Sequence, residues 1–138
     1  MTTARKSTEQ GAAAGPLALR PIDRMHLARQ ALGDPGIELE ILRMFESLIS
    51  SHFADLRETG STSERLHHLH TLKAASVGVG AWSLAEHAYI IESEIRAGEP
   101  FSSERVDDLA FCVEEVRGFI AGLVGEEGDG LGQPFGIA

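Results

Sequence analysis

The sequence predicts an all-α protein, an antiparallel up-down four-helix bundle with a short extra N-terminal helix. Three observations carry that prediction. Between residues 21 and 124 apolar residues recur at three- and four-residue steps, and no segment alternates with period two. Proline is nearly absent from the interior of that stretch, and the periodic segments are separated by Gly-, Pro- and Ser-containing breaks. The breaks are short, and short connections between long helices make chain neighbours antiparallel.

Residues 1–20 mix alanine, glycine, threonine and charge without periodicity and read as a flexible tail. In the short first helix, Pro21 suits the start, Ile22, Met25, Leu27, Ala28 and Leu32 are the apolar residues, and Gly33 is the stop. Asp34 then caps a second helix with Pro35 at its first position. That helix runs to about Arg57 on a stripe of Ile37, Ile41, Phe45, Leu48, Phe53 and Leu56, with one five-residue step in it. Ser61 and Glu64 form an S-x-x-E capping box that opens the third helix. Gly78 and Gly80 loosen its end. The fourth helix is predicted over about 81–97, with Leu84, Ala88, Ile91 and Ile95 inward and Gly98 closing it. Ser102 or Ser103 caps the fifth, where Val106, Leu109, Val113, Val116, Ile120 and Leu123 form a bundle seam. Residues 125–138, rich in glycine, read as a second tail, which leaves one bundle domain at 21–124.

Composition narrows the function. The formal net charge of −9 argues against a nucleic-acid partner, which would select a basic face. No run approaches the ~20 apolar residues of a membrane span, and the N-terminus has no signal-like apolar core. Cys112 is the single cysteine, so no internal disulfide can form. A cytoplasmic monomer is expected.

The third helix carries the unusual pattern. At 100° per residue, Leu66, His67, His70, Lys73, Ala74 and Val77 share one face, while His68, Leu72, Ala75 and Val79 lie opposite. The first face holds two histidines and a lysine among apolar residues, which suits docking better than solvation. Helical side chains lean toward the N-terminus, so a small residue at Ala74 leaves His70 uncovered. Neutral imidazole is a nitrogen nucleophile, and a lysine one turn on would favour an anionic product. An accessible imidazole, a neighbouring ammonium group and open space describe a phosphate-accepting histidine.

The run from His70 to Ala81, H-T-L-K-A-A-S-V-G-V-G-A, resembles the signature of histidine-containing phosphotransfer (HPt) domains, roughly H-x-L-K-G-S-small-x-x-apolar-G-A. His70 matches the phosphoacceptor, Leu72 the core leucine, Lys73 the phosphate-supporting lysine, and Gly80-Ala81 the closing pair. The segments LEILRMF before and LAEHAYIIE after the motif are similar to the family's flanking helices. The sequence departs at Ala74, where the family usually has glycine. The resemblance implies a phosphocarrier without autokinase activity. It would take a phosphoryl group on Nε2 of His70 from a receiver-domain aspartate, with response-regulator receiver domains and a hybrid histidine kinase as partners. Leu66, His67, Ala74 and Val77 would contact the receiver. The competing reading is a helical adaptor that docks a receiver or kinase without being phosphorylated.

Blander readings cover the other polar residues. His67 and His68 suit ordinary packing or exposure. His67 and His70 have helical i, i+3 spacing, but a metal site needs three or four ligands and no cysteine or acidic pair completes one. No metal and no cofactor are expected. Trp82 and Tyr89 read as packing residues, and no phosphate-binding loop or dinucleotide fingerprint occurs.

Overall fold

Asp23 sets where the first helix begins. Its carboxylate accepts from the backbone N–H groups of Met25 and His26, both at 3.1 Å, so α1 is Arg24–Gln30. Pro21 therefore precedes the helix, Leu27 is its buried residue, and Ile22 and Ala31 are buried on either side of it. Met25 and Leu32, expected in the apolar face, are exposed: the later start rotates the stripe, and Leu32 lies beyond the helix end at φ 56°. The computed structural model describes residues 20–137, with side chains as far as residue 125. Most of the expected N-terminal tail lies outside them. Among the described residues there are five α-helices and no strand.

Asp34 caps α2 (Pro35–Glu58) as expected, accepting from Gly36 and Ile37 N–H with Pro35 in the first turn. The buried face is Leu39, Leu42, Phe45, Ile49, Phe53 and Leu56. It is turned from the predicted stripe, since Ile37 is exposed and Ile41 and Leu48 are half-buried. From Leu42 onward the steps are three or four, and the five-residue step of the prediction vanishes. Ser61 caps α3 (Thr62–Val79) through the Glu64 N–H. The return half of the capping box is replaced: Glu64 accepts from the Thr59 hydroxyl, whose oxygen accepts from Ser61 N–H.

α3 ends at Gly80, in the left-handed region at φ 89°. A Cβ there would stand 3.1 Å from both Cβ and the carbonyl oxygen of Asp23. Glycine thus lets α1 pack directly on the junction, where Asp23 N–H donates to the Gly80 carbonyl at 2.9 Å. Trp82 Nε1 donates to Asp23 Oδ2 at 3.1 Å, and His26 Nε2 sits 3.1 Å from the Gly78 carbonyl. Gly78 does not loosen the helix, contrary to expectation: it is an internal α3 residue, and its carbonyl takes part in this clasp.

α4 (Trp82–Arg96) buries Leu84, Ala85, Ala88, Ile91 and Glu92. Arg105 then grips Glu94 through two guanidinium nitrogens, at 2.6 to 3.2 Å. Ser102 accepts from Arg105 N–H at the start of α5 (Ser103–Ile137). Leu109, Val113, Val116, Ile120 and Leu123 are buried as predicted, with Cys112 beside them. The α5 backbone continues to Ile137, past residue 124 where the sequence reading ended it.

The four long helices form a ring of contacts: α2 on α3, α3 on α4, α4 on α5 and α5 on α2, with α1 against α2 and α3. Their apolar faces meet in one core that includes Leu42, Ile49, Leu69, Leu72, Leu84, Ile91, Leu109 and Ile120.

Candidate functional site

Rotation of α3 is fixed by what it buries. Leu69 and Leu72 are fully covered, with Ser76 and Val79, so the arc between them faces the core. His70 falls outside that arc, and its side chain is 63% exposed at the middle of the helix. His67, Ala74 and Val77 are exposed beside it, and Leu66 and Lys73 are half-buried. All six residues singled out on the sequence therefore line the outer side of one helix. Of the opposite face, Leu72 and Val79 are buried and His68 and Ala75 half-buried, while Leu69 and Ser76 are core residues outside the predicted set.

The organising group is Glu92 on α4, a carboxylate 5% exposed. Lys73 Nζ lies 3.1 Å from Oε1, Arg96 Nη2 3.0 Å from Oε2, and His70 Nδ1 3.7 Å from Oε2. Burial works to raise the Glu92 pKa, but hydrogen bonding and charge from Arg96 and Lys73 outweigh it and hold the carboxyl below its ordinary value. Lys73 is held from a second side, its ammonium 5.4 Å from the centroid of the Tyr89 ring. Tyr89, read as a packing residue, is 56% exposed and meets the lysine ammonium instead.

One edge of the His70 imidazole faces the Glu92 carboxylate. At 3.7 Å the His70–Glu92 contact is longer than a hydrogen bond, but the negative end of Glu92 faces the Nδ1 edge. A carboxylate there favours the tautomer with its proton on Nδ1. The Nε2 lone pair is then free for an external electrophile.

Around the helix from His70, α2 and α3 bring three more imidazoles together. His52 Nδ1 is 2.9 Å from His68 Nδ1. The ring centroids of His52, His67 and His68 are 5.1 to 5.9 Å apart in all three pairings. Burial, then the neighbouring His68 and His67, push the His52 pKa down, against a smaller opposing effect of Asp55. The His67 and His68 rings border an open cleft of ≈ 510 Å³ whose lining also includes Asp55, Glu58, Thr59 and Glu64. Elsewhere on α2 and α3, Ile41, Met44, Phe45, Leu48, Ala75 and Val79 line an apolar groove of ≈ 260 Å³.

Sequence reasoning missed Glu92 and His52, although each left a signal. Ala85, Ala88 and Glu92 follow at steps of three and four, so Glu92 is an acid in a core register position, which calls for a cationic partner. His52 and His68 are 16 residues apart and equidistant from Gly60 in the α2–α3 connection. In a helical hairpin such residues face one another. Among the described residues no helix is long and apolar enough to cross a membrane. The chain matches no protein-family model, no curated protein and no solved structure.

Proposed function

We propose that the protein is a histidine phosphotransfer protein that accepts a phosphoryl group on His70 from a receiver-domain aspartate and passes it to a second receiver. The observation that carries this reading is the exposed His70 ring whose Nδ1 edge faces a buried, cation-held carboxylate. In this reading the helix ring is an antiparallel up-down four-helix bundle, and the protein acts as a cytoplasmic monomer. The HPt-like run from His70 to Ala81 supports the same assignment.

The chemistry needs little from this chain. The Nε2 lone pair attacks phosphorus of the aspartyl phosphate. The bond from phosphorus to the carboxyl oxygen breaks, and the carboxylate leaves with the electron pair. The Nδ1 proton stays in place, so the phosphorylated ring carries positive charge, which Glu92 opposes across 3.7 Å. Lys73, anchored by Glu92, holds an ammonium group one turn away for the phosphoryl oxygens. Ala74 leaves approach to the ring open, and Val77, 46% exposed on the same face, gives the receiver an apolar contact to bury. Positioning of the two reactants does the remaining work.

The test is incubation with phosphorylated receiver domains from the same genome. Acid-labile, base-stable label moves to this chain and does not move to a His70→Gln variant. A chain that binds receiver but takes no label is instead an adaptor.

A further inference from the structure

We infer that His52, His67 and His68 form a binding site for one divalent transition-metal ion of the zinc class, bridging α2 and α3. The inference does not depend on the phosphotransfer reading. One donor nitrogen from each ring can be chosen so that all three lie within 4.8 Å of one another. Zinc–imidazole bonds of about 2.0–2.1 Å in a tetrahedral arrangement set nitrogen–nitrogen separations of roughly 3.3–3.4 Å. The His52–His68 pair, at 2.9 Å, has to open slightly, and the widest spacing has to close by about 1.5 Å. His67 is exposed and free to swing, so side-chain rotation alone supplies that movement.

The surroundings favour a cation over a bare imidazole cluster. Asp55, Glu58 and Glu64 line the cleft beside the rings, and no lysine or arginine lines it. Three histidines, two of them lining an open cleft, match a site of three protein ligands and a water-filled fourth position. Asp55, one turn beyond His52 on α2, is the carboxylate placed to orient a ligand ring or take that fourth position. Imidazole donors suit Zn²⁺, Cu²⁺ and Ni²⁺ and exclude Mg²⁺ and Ca²⁺, which take oxygen ligands. Without metal, only one proton can lie between His52 and His68 Nδ1, so the pair forms a single N–H···N bond. A metal replaces that one bond with a tie between two helices.

The experiment is titration of the full chain with Zn²⁺ alone, in competition with a chromophoric chelator, followed by Co²⁺ substitution and visible spectroscopy. One ion per chain binds with micromolar or tighter affinity, and Co²⁺ gives the intense bands of a four-coordinate site. His52→Gln and, separately, the exposed His67→Gln each weaken Zn²⁺ binding at least tenfold, with helicity unchanged by circular dichroism. His87→Gln, on α4, leaves the affinity as it was. Zn²⁺ binding weaker than micromolar, a six-coordinate Co²⁺ spectrum, or affinity unmoved by either cluster variant overturns the assignment.

Discussion

His70 and His67 are three residues apart on the outer side of α3, yet the groups around them differ in kind. His70 faces a carboxylate across 3.7 Å, and that carboxylate is itself bound to Lys73 and Arg96. His67 faces two other imidazoles, His52 and His68, over a cleft with acidic walls. A fixed negative charge at one edge of a ring picks a tautomer and leaves one nitrogen as a nucleophile. Rings converging from two helices instead bring three donor nitrogens within 4.8 Å of one another. The same residue type thus meets two different environments within one turn, and neighbours on α2 and α4 supply the difference.

The comparison breaks most sharply at His70. His70→Gln removes phosphoryl labelling by at least 100-fold, whereas His67→Gln, at an expected receiver contact, slows it only through weaker docking and still takes the label on His70; equal losses would erase the distinction between the two groups. Next is Glu92→Ala, which leaves Lys73 and Arg96 without their shared anion. Both cations can reach water, so the expected loss is about 1–3 kcal/mol in a urea titration, short of the ~3–5 kcal/mol for a fully buried broken pair. The pH dependence has a definite sign. The folded Glu92 carboxyl sits below its ordinary value of 4.5, so the folded state binds fewer protons than the unfolded state. Its stabilisation is complete above about pH 4.5 and is lost as pH falls through the lower folded value, a loss absent from Glu92→Gln.

Lys73→Ala comes third. Losing one charge-assisted contact to the phosphoryl group slows transfer about tenfold in single-turnover labelling, equivalent to ~1.4 kcal/mol. Unchanged kinetics would mean that the lysine serves only Glu92. The smallest effect on the fold is that of Ala74→Leu: residue 74 is exposed, so stability stays within about 0.5 kcal/mol. Receiver binding, measured by calorimetry, weakens several-fold because the leucine leans over His70. A drop in helicity would contradict the placement of residue 74.

Much of this was legible before any coordinates. Helix existence followed from apolar periodicity, and the caps Asp34, Ser61 and Ser102 were visible because a short polar side chain ahead of a periodic run has one favoured use. The outward placement of His70 followed from Leu72 being on the opposite face. The register of α2 was misread because Ile37, Ile41 and Leu48 are as apolar as the residues beside them, so periodicity alone could not choose between two adjacent stripes. Pro21, two residues before Asp23, carries its own helix-start signal and so hides the Asp23 cap in the sequence. The Glu92 latch and the His52 contact join residues from different helices, and a pattern read along one helix at a time does not pair them.

The most direct test of the central claim is ³¹P and ¹⁵N NMR of the chain after reaction with a phosphorylated receiver. A single phosphoramidate resonance coupled to Nε2 of His70 is expected, with Nδ1 still protonated. Phosphorus on His67, on His68 or on Nδ1 of His70 would contradict it.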